Sequence, residues 1–272
     1  MSALGDLLGD HDLVDLSVAF GDEYPMAFPG HQPFEHKVHN WYVPIDGPQH
    51  VRSTAPYYDC WMLIDEHSGT HFDAPPHFIP PPGSGLPHAS PLGAITGEHV
   101  PLAQLQGPAA VVDCRPLLRD EPGVSPRVER SYIEAFEAEH GRLEPGDVVL
   151  IHGGWDRHFV PLPAGDAYTA GPLAGRSPAW PAPTAEAVLH CHERGVRLIG
   201  TDAGTIGAAD ELASMHYAGL GNNLLFVESL ANLDRLPPRG AYFVFLPIKV
   251  LRSSGCPGRA IAYVPRVDRD PA

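Results

Sequence analysis

The sequence predicts a mixed α/β fold with a largely β core and a few covering helices. Segments with a strand pattern outnumber those with a helical pattern, and the helical ones lie mainly in the second half of the chain. The 31 prolines and 28 glycines favour short elements joined by many turns. With 272 residues, 43% of them hydrophobic, the chain is large enough to bury a core, and we expect residues 1–272 to form a single domain.

Nine segments are predicted to contain strands, because apolar residues alternate or cluster between turn residues. These segments are 13–20, 36–44, 57–67, 108–114, 144–154, 196–203, 223–230, 241–250 and 259–264. Three segments are predicted as helices: 131–141, 185–194 and 210–221. Thr184 and Gly195 are the expected cap and stop of the second helix, and Gly141 is the expected stop of the first.

Two proline- and glycine-rich stretches, residues 79–92 and 157–182, are predicted as loop insertions in this domain. Long loops without secondary structure are uncommon inside compact domains unless they carry a function. We therefore expect each insertion to act either as a lid over a site or as a contact between subunits.

The charge balance argues against a nucleic-acid partner. The chain has 18 lysines and arginines against 33 aspartates and glutamates, and the resulting net charge of −15 repels phosphate backbones. No apolar run approaches the roughly 20 residues of a membrane-spanning helix. The acidic N-terminal segment does not have the pattern of a signal peptide. We expect neither a nucleic acid nor a membrane as a partner.

The four cysteines are widely separated and form no C-x-x-C pair: Cys60, Cys114, Cys191 and Cys256. This scatter argues against a disulfide framework and favours a reducing, cytoplasmic location. We expect the cysteines to serve as small buried hydrophobic residues.

The segment HSGTHFDAPPHF, residues 67–78, concentrates potential metal ligands. His67, His71 and Asp73 carry side chains suited to a divalent transition metal. Four residues of straight strand span roughly 13 Å, which is too far for two ligands of one ion. The chain must therefore bend between the two histidines, and Gly69 permits that bend. A histidine-rich surface loop is the alternative interpretation.

His77 follows the rigid pair Pro75-Pro76, which fixes the direction of the next side chain. A neutral histidine beside a metal-activated water is a suitable general base, because its ordinary pKa of about 6.5 lies near working pH. We predict that His77 is catalytic. A fourth metal ligand or an ordinary loop histidine are its alternatives.

A second carboxylate and a further histidine would allow a second ion. The candidates are His216, on a predicted helix, and Glu228, on the apolar strand that follows. A glutamate in such a strand is costly to bury without a partner, and a cation would be that partner. The alternative for Glu228 is a strand residue that faces outward.

The motif H-S-G-T-H-F-D-A-P-P-H-F resembles the signature of the metal-dependent cyclase-like hydrolases, which include bacterial kynurenine formamidases and isatin hydrolases. Nearly the whole chain takes part in the resemblance. The similar segments are VDLSVAF, YPMAFPGHQPF, GDVVLIHGGWD, GTDAGTIG, MHYAGLGNNLLFVESLANLDRLP and SGCPGRAIAYV. The chain differs from the formamidases in its greater length, at His31, and at His152-Gly153.

The resemblance implies a swivelling β/β/α fold, a homo-oligomer (dimer or tetramer), and one or two Zn²⁺ or Mn²⁺ ions per subunit. It implies that His67, His71 and Asp73 hold one ion. In the two-metal formamidases the residue equivalent to Asp73 would bridge to a second ion, held here by His216 and Glu228.

The resemblance also implies a catalytic role for His77 and an aromatic pocket for a small substrate. Phe28 would stack on an aromatic substrate, and Trp61 and Trp155 are further candidates for the same role. The expected reaction is hydrolysis of a small, aromatic amide by metal-activated water, either an arylformamide of the N-formylkynurenine type or a cyclic amide.

Three alternatives remain open at this point. One is an isatin-type lactam or lactone hydrolase, since nothing in the sequence separates C–N from C–O cleavage. Another is a metal- or ligand-binding member of the family without catalysis, against which His77 argues because sequestration needs no base. The third is a cupin-like metal dioxygenase, which the spacing of Asp73 opposes.

Overall fold

The computed structural model describes residues 8–26, 28–42 and 55–266. The last two residues of the strand predicted at 36–44 and Ala27 of the segment YPMAFPGHQPF lie outside the described residues. No helix in the described ranges is long and apolar enough to cross a membrane.

Strands dominate the described residues, and the helices are short. The strands are β1 His11–Asp15, β2 Glu35–Asn40, β3 Asp59–Leu63, β4 His71–Asp73, β5 Gln106–Asp113, β6 Arg127–Val128, β7 Val148–His152, β8 Ala182–Pro183, β9 Leu198–Thr201, β10 Leu225–Glu228, β11 Tyr242–Pro247 and β12 Gly255–Pro265. The α-helices are α1 Arg130–His140, α2 Ala170–Leu173, α3 Ala185–Glu193 and α4 Ser214–Leu220. The predicted mixed α/β fold with a β core is confirmed.

The main sheet closes on itself. Its strand order is β1-β12-β11-β5-β7-β9-β10-β4, and β12 also pairs with β4. Seven strands therefore form a barrel-like ring, to which β1 adds at β12. Strands β5, β7, β9 and β10 are parallel to one another, whereas the pairs involving β4, β11 and β12 are antiparallel. Two separate pairs, β2–β3 and β6–β8, lie outside this ring.

The core has one layer inside the ring and one beneath the helices. Along β5, Ala109 and Val111 belong to the inner cluster, whereas Ala110 and Val112 belong to the outer one. The outer cluster includes Ile133 of α1 and residues of α3 and α4. Parallel strands buried on both faces need continuous apolar runs, which accounts for the sequences of β5, β7 and β9.

The helices predicted at 131–141 and 185–194 are found within one residue, as α1 and α3. The Thr184 hydroxyl accepts a hydrogen bond from Ala187 N at 3.2 Å and starts α3. The helix predicted at 210–221 begins only at Ser214, because the Glu211 side chain accepts hydrogen bonds from Ala213 N and Ser214 N at the turn before it.

The strand predicted at 13–20 ends early, at Asp15. The chain then leaves β12, and Ser17 forms a bridge with Leu230. The three-residue strand β4 within the histidine motif was not predicted, because its apolar content is too low to give a strand pattern. Three of the four cysteines are buried as predicted, and Cys60 is partly exposed.

The stretch 157–182, predicted as loop, contains ordered and buried structure. It includes a 3₁₀ helix, Ala164–Tyr168, and α2. Tyr168 and Trp180 are fully buried, and Trp180 Nε1 donates to Gly207 O at 2.7 Å. The segment was predicted as loop because it is rich in proline and glycine, which are typical of turns. The few apolar residues that pack into the core give no helix or strand pattern.

Helices α1 and α3 are joined by a buried ionic cluster around Glu137. Its side chain, only 8% exposed, accepts hydrogen bonds from Arg194 Nε at 2.8 Å and from His190 Nε2 at 2.7 Å. Burial alone would raise the pKa of Glu137, but the hydrogen bonds from Arg194 and His190 outweigh it and lower the pKa to about 2. The charged carboxylate therefore stabilises the packing of these helices.

The change Glu137→Gln is expected to lower the free energy of unfolding by about 1–3 kcal/mol near neutral pH, because it weakens a buried, charge-assisted cluster. The folded pKa lies below the ordinary value of 4.5, so the stabilisation exists above about pH 4.5 and is lost as pH falls toward 2. Urea unfolding of the unaltered protein and the variant measures the difference in their free energies of unfolding. This difference should be smaller at about pH 3 than at about pH 6.

The matched control is Glu134→Gln on the same helix. Glu134 pairs with Arg130 at the surface, with both side chains nearly half exposed, so its loss should change stability by less than about 0.5 kcal/mol. Equal effects of the two changes, or a Glu137 effect that does not shrink in acid, would contradict this account.

Candidate metal centre

The short strand β4 brings two of the predicted ligands to one face. His71 and Asp73 are two residues apart on β4, so their side chains point the same way, and both are buried. On the neighbouring strand β10, Glu228 lies directly opposite His71 in the register. The side chain of Glu228 is also buried. Two carboxylates and a histidine therefore face each other inside the protein.

The bend predicted at Gly69 is present. Gly69 has a φ of +55°, and a Cβ there would lie 2.2 Å from Phe20 Cε1, so only glycine fits. The next residue, Thr70, anchors the bend: its hydroxyl donates to Ser229 O at 2.6 Å and accepts from Val18 N at 2.9 Å. The bend returns His67 toward β4, where His67 Nδ1 lies 2.9 Å from Asp73 Oδ1.

The remaining distances have the spacing of donors around a cation. His71 Nε2 is 3.5 Å from Asp73 Oδ1 and 3.4 Å from Glu228 Oε2. His216 Nε2 is 3.7 Å from Asp73 Oδ2 and 3.5 Å from Glu228 Oε1. Two donors bound to one tetrahedral ion at about 2.1 Å lie roughly 3.4 Å apart. The structure thus brings all five predicted ligand residues together, with Asp73 between the histidines.

Hydrogen bonds on the far side of two imidazoles leave their inner nitrogens available. His71 Nδ1 lies 2.8 Å from Gly69 O, and His216 Nδ1 lies 2.6 Å from Leu212 O. A carbonyl can only accept, so each Nδ1 carries the hydrogen and each Nε2 presents a lone pair to the carboxylates. This arrangement is typical of histidines that bind metals.

Asp73 supplies the clearest sign that a cation belongs here. Its side chain is fully buried, and Oδ2 has no hydrogen-bond partner. Burial opposes its ionisation, but the surrounding histidines outweigh this and hold the pKa of Asp73 well below its usual range. A buried, charged oxygen without a partner is costly, and the donor set around it, three imidazoles and two carboxylates, suits a divalent transition metal.

Glu228 is held by residues that the sequence did not single out. Its Oε1 accepts a hydrogen bond from Ile206 N at 2.7 Å and from the Thr205 hydroxyl at 3.2 Å. Thr205 belongs to GTDAGTIG, a segment noted for its family resemblance but not for any individual role. No local pattern marks this contact, because it joins two separate segments.

His77 ends the 3₁₀ helix Pro75–His77 and faces the same space. Its ring stacks on that of His67, with a centroid distance of 3.8 Å, and lies 6.0 Å from that of His216. Burial lowers the pKa of His77 to about 3, so the imidazole is neutral at pH 7. The adjacent Phe78 stacks on His216 at 4.2 Å and holds that ring in place.

A cavity of about 140 Å³ opens onto these groups. Its lining residues are Phe28, His31, His67, His71, His77, Phe78, Gly204, Thr205, Leu212, His216 and Glu228. Phe28, the residue expected to stack on an aromatic substrate, thus lines this cavity. His31, one of the positions that differ from the formamidases, also lines the cavity, with its Nδ1 3.5 Å from Asp65 Oδ1.

The other two aromatic candidates are placed elsewhere. Among the described residues that line the cavity, neither Trp61 nor Trp155 appears. Trp61 lies on β3, 44% exposed, with Lys37 above its ring. Trp155 is buried, and its Nε1 donates to Tyr168 O at 2.8 Å, so its ring belongs to the core. Sequence patterns cannot separate such roles, since tryptophan is common in cores.

The Gly-Trp-Asp turn has a structural role next to the site. The buried side chain of Asp202 accepts hydrogen bonds from Gly153 N at 3.0 Å and Trp155 N at 3.2 Å. Burial raises the pKa of Asp202 to about 7, and the Asp156 carboxylate adds to the rise. His152 is buried at the end of β7, outside the cavity lining. This turn fixes the segment that leads to Gly204 and Thr205.

Comparisons with known sequences agree with the resemblance. The sequence model of a family described as Putative cyclase matches residues 14–208, more than half of the chain. An isatin hydrolase of Roseibium aggregatum is 31% identical over 274 residues, covering 98% of this chain and 97% of that protein. A kynurenine formamidase of Paracidovorax citrulli is 28% identical, covering 88% of this chain and 91% of that protein.

Comparisons with solved structures give the same result. An isatin hydrolase bound to the product analogue thioisatinate superposes with a TM-score of 0.77 at 25% identity, covering 98% of this chain and 100% of that one. Isatin hydrolase A from Ralstonia solanacearum superposes with a TM-score of 0.75 at 28% identity, covering 96% and 95%. The chain therefore belongs to the cyclase family, as its motifs indicate.

Proposed function

We propose that this protein hydrolyses the C–N bond of a small aromatic amide, with a cyclic amide of the isatin type as the favoured substrate and an arylformamide as the second candidate. The observation that carries the proposal is the buried, unpartnered Asp73 Oδ2 amid inward-facing histidine nitrogens, beside the neutral His77 and an open cavity. The likeness to isatin hydrolase covers 98% of the chain, against 88% for the formamidase, which favours the cyclic amide.

We propose that five residues hold one or two divalent ions, Zn²⁺ or Mn²⁺: His67, His71, Asp73, His216 and Glu228. Asp73 has one oxygen toward His67 and His71 and the other toward His216, so its carboxylate can bridge two ions or serve one. A divalent ion in such a site lowers the pKa of water from about 15.7 toward 7 and polarises a carbonyl.

His77 is proposed as the group that moves the proton. A neutral imidazole has one nitrogen with a lone pair, so His77 could accept the proton of the attacking water and then donate that proton to the leaving nitrogen. Stacking on His67 fixes the ring beside the ligand cluster. The proposal needs no serine or cysteine nucleophile.

The cavity walls suggest how a substrate is oriented. Phe28, Phe78 and Leu212 offer apolar surface for a flat ring, whereas the ligand cluster forms the polar end. His31 adds a polar group beside Phe28, with a ring-centroid distance of 5.6 Å.

We further propose that residues 1–272 act as one domain with insertions near 79–92 and 157–182, in a cytoplasmic homo-oligomer.

Side-by-side assays of isatin, N-formylkynurenine and an aryl lactone are expected to give the highest kcat/KM for isatin. The reason is that the ring-opening substrate matches the relative that this chain resembles over its whole length. Initial rates followed by absorbance for each substrate measure the order. A preference for N-formylkynurenine would favour the arylformamidase, and a preference for the lactone would contradict C–N specificity.

Removal of divalent metal is expected to abolish the activity, and addition of Zn²⁺ or Mn²⁺ to restore it, because water at neutral pH is a poor nucleophile without the ion. Metal content measured by elemental analysis before and after chelation accompanies the rate. Metal should also raise the melting temperature of the apoprotein, since the ion binds only the folded state. Activity that survives verified metal removal would refute the mechanism.

The change His77→Ala is expected to lower kcat by about 10²- to 10⁴-fold while metal content stays unchanged, because the general base is lost but the ligands remain. His99→Ala is the control, since His99 is largely exposed and is not among the residues that line the cavity. Loss of metal in the His77 variant would instead identify His77 as a ligand.

A further inference from the structure

Three side chains form a hydrogen-bonded series behind the metal cluster. Ser254 Oγ donates to Glu66 Oε2 at 2.8 Å, and His67 Nε2 lies 2.9 Å from the same Ser254 oxygen. Ser254 N also donates to Glu66 Oε2 at 2.8 Å. Ser254 immediately precedes β12, whereas Glu66 and His67 precede β4, so the series crosses between the two paired strands.

The direction of these bonds fixes the hydrogen on His67. A serine hydroxyl has one hydrogen, and Ser254 gives it to the carboxylate of Glu66, so the same oxygen accepts from His67 Nε2. Nε2 must therefore carry a hydrogen. In the neutral imidazole Nδ1 then has a bare lone pair, and it lies 2.9 Å from Asp73 Oδ1. Two lone pairs at that distance need a cation or a proton between them.

His67 is thereby oriented opposite to its neighbours. His71 and His216 direct Nδ1 to backbone carbonyls and Nε2 to the cluster, whereas His67 directs Nε2 outward and Nδ1 inward. A hydroxyl, unlike a carbonyl, can either donate or accept, so Ser254 alone does not decide the tautomer of His67. The carboxylate of Glu66 decides it, because a carboxylate accepts only.

The close approach of the two strands depends on Gly255. A Cβ on this residue would lie 2.2 Å from Phe72 O and 2.8 Å from His67 Cε1. The ring of His67 therefore fits only against a glycine, which brings Ser254 within reach of Nε2.

We propose that Glu66 and Ser254 are positioning residues that hold His67 in the tautomer whose Nδ1 binds the divalent metal. The inference rests on the proposed metal site and adds two residues that act through His67 without touching the ion. Partners of this kind typically contribute 10- to 100-fold to metal affinity.

The central test is the change Ser254→Ala, which removes the acceptor for His67 Nε2 but keeps the bond from the residue 254 backbone to Glu66. Competition titration with a chelator should show the Zn²⁺ dissociation constant rising by about 10- to 100-fold. The visible absorption bands of the Co²⁺-loaded protein should shift as well, because the coordination of His67 changes. Ser254→Thr keeps a hydroxyl and should bind Zn²⁺ within about threefold of the unaltered protein.

The matched control is Ser253→Ala, next along the chain. The Ser253 hydroxyl donates to Val250 O at 3.0 Å and makes no bond to a histidine, so its loss should leave the Zn²⁺ constant and the Co²⁺ bands unchanged. Thermal unfolding of each apoprotein separates weaker folding from weaker binding.

A second variant, Glu66→Ala, tests the tautomer itself. Without the carboxylate, Ser254 can donate to His67 Nε2, which favours a hydrogen on Nδ1 and weakens Zn²⁺ binding in a protein that keeps both His67 and Ser254. The inference would be overturned if both variants, Ser254→Ala and Glu66→Ala, kept the Zn²⁺ affinity and the Co²⁺ absorption bands of the unaltered protein. That result would leave the proposed metal site in place. Absence of Zn²⁺ and Co²⁺ binding by the unaltered protein would overturn the proposed function together with it.

Discussion

The site depends on a strand of three residues held between two others. Strand β4 pairs with β10 on one side and with β12 on the other, and these pairings close the ring. The same register sets Glu228 opposite His71 and Gly255 opposite Asp73. A slip of one residue would turn the β4 side chains to the other face. Ring closure and assembly of the ligand cluster are therefore one structural event, and barrel packing holds the donor geometry.

Closure also concentrates charged side chains that have little exposure to water. Two carboxylates with little or no exposure face three imidazoles inside a strongly acidic protein. The fold satisfies part of the hydrogen-bonding capacity of Glu228, through Ile206 N and the Thr205 hydroxyl. Asp73 Oδ1 instead faces His67 Nδ1 at 2.9 Å, the nitrogen that carries a lone pair in the neutral imidazole. Asp73 Oδ2 is buried and has no hydrogen-bond partner. An apolar core would be cheaper to bury, so the arrangement is best explained by the ion that it is built to hold.

Local chemistry was predictable from the sequence, and contacts between distant segments were not. The bend at Gly69 was predicted from the spacing of His67, His71 and Asp73. Glu228 was a candidate because a glutamate is costly to bury in an apolar strand, and the resemblance implied that His216 acts with it. Ser254 and Glu66 are 188 residues apart, and only ring closure makes them neighbours. Trp155 was predicted to line the pocket, but the structure places its ring in the core. Aromatic character alone does not distinguish a residue of a pocket wall from a residue of the core.

The residues that line the cavity come from two kinds of segment: the candidate metal ligands and the aromatic wall lie on different parts of the chain. The ligand donors lie on or next to barrel strands whose register is fixed, whereas Phe28 and His31 lie on the loop between β1 and β2, which touches the barrel through Gly69 N donating to Met26 O at 3.0 Å. The stretch 157–182 packs against the same loop: the ring of Phe159 stacks on that of Tyr24, with a centroid distance of 5.4 Å. Changes at Phe28 and His31 can therefore alter the aromatic wall, whereas the donors lie on or next to strands whose register is fixed. Binding residues often lie on loops held by a rigid scaffold, so this layout makes the loop around Phe28, rather than the histidine motif, the part of the sequence that shapes the aromatic wall of the cavity.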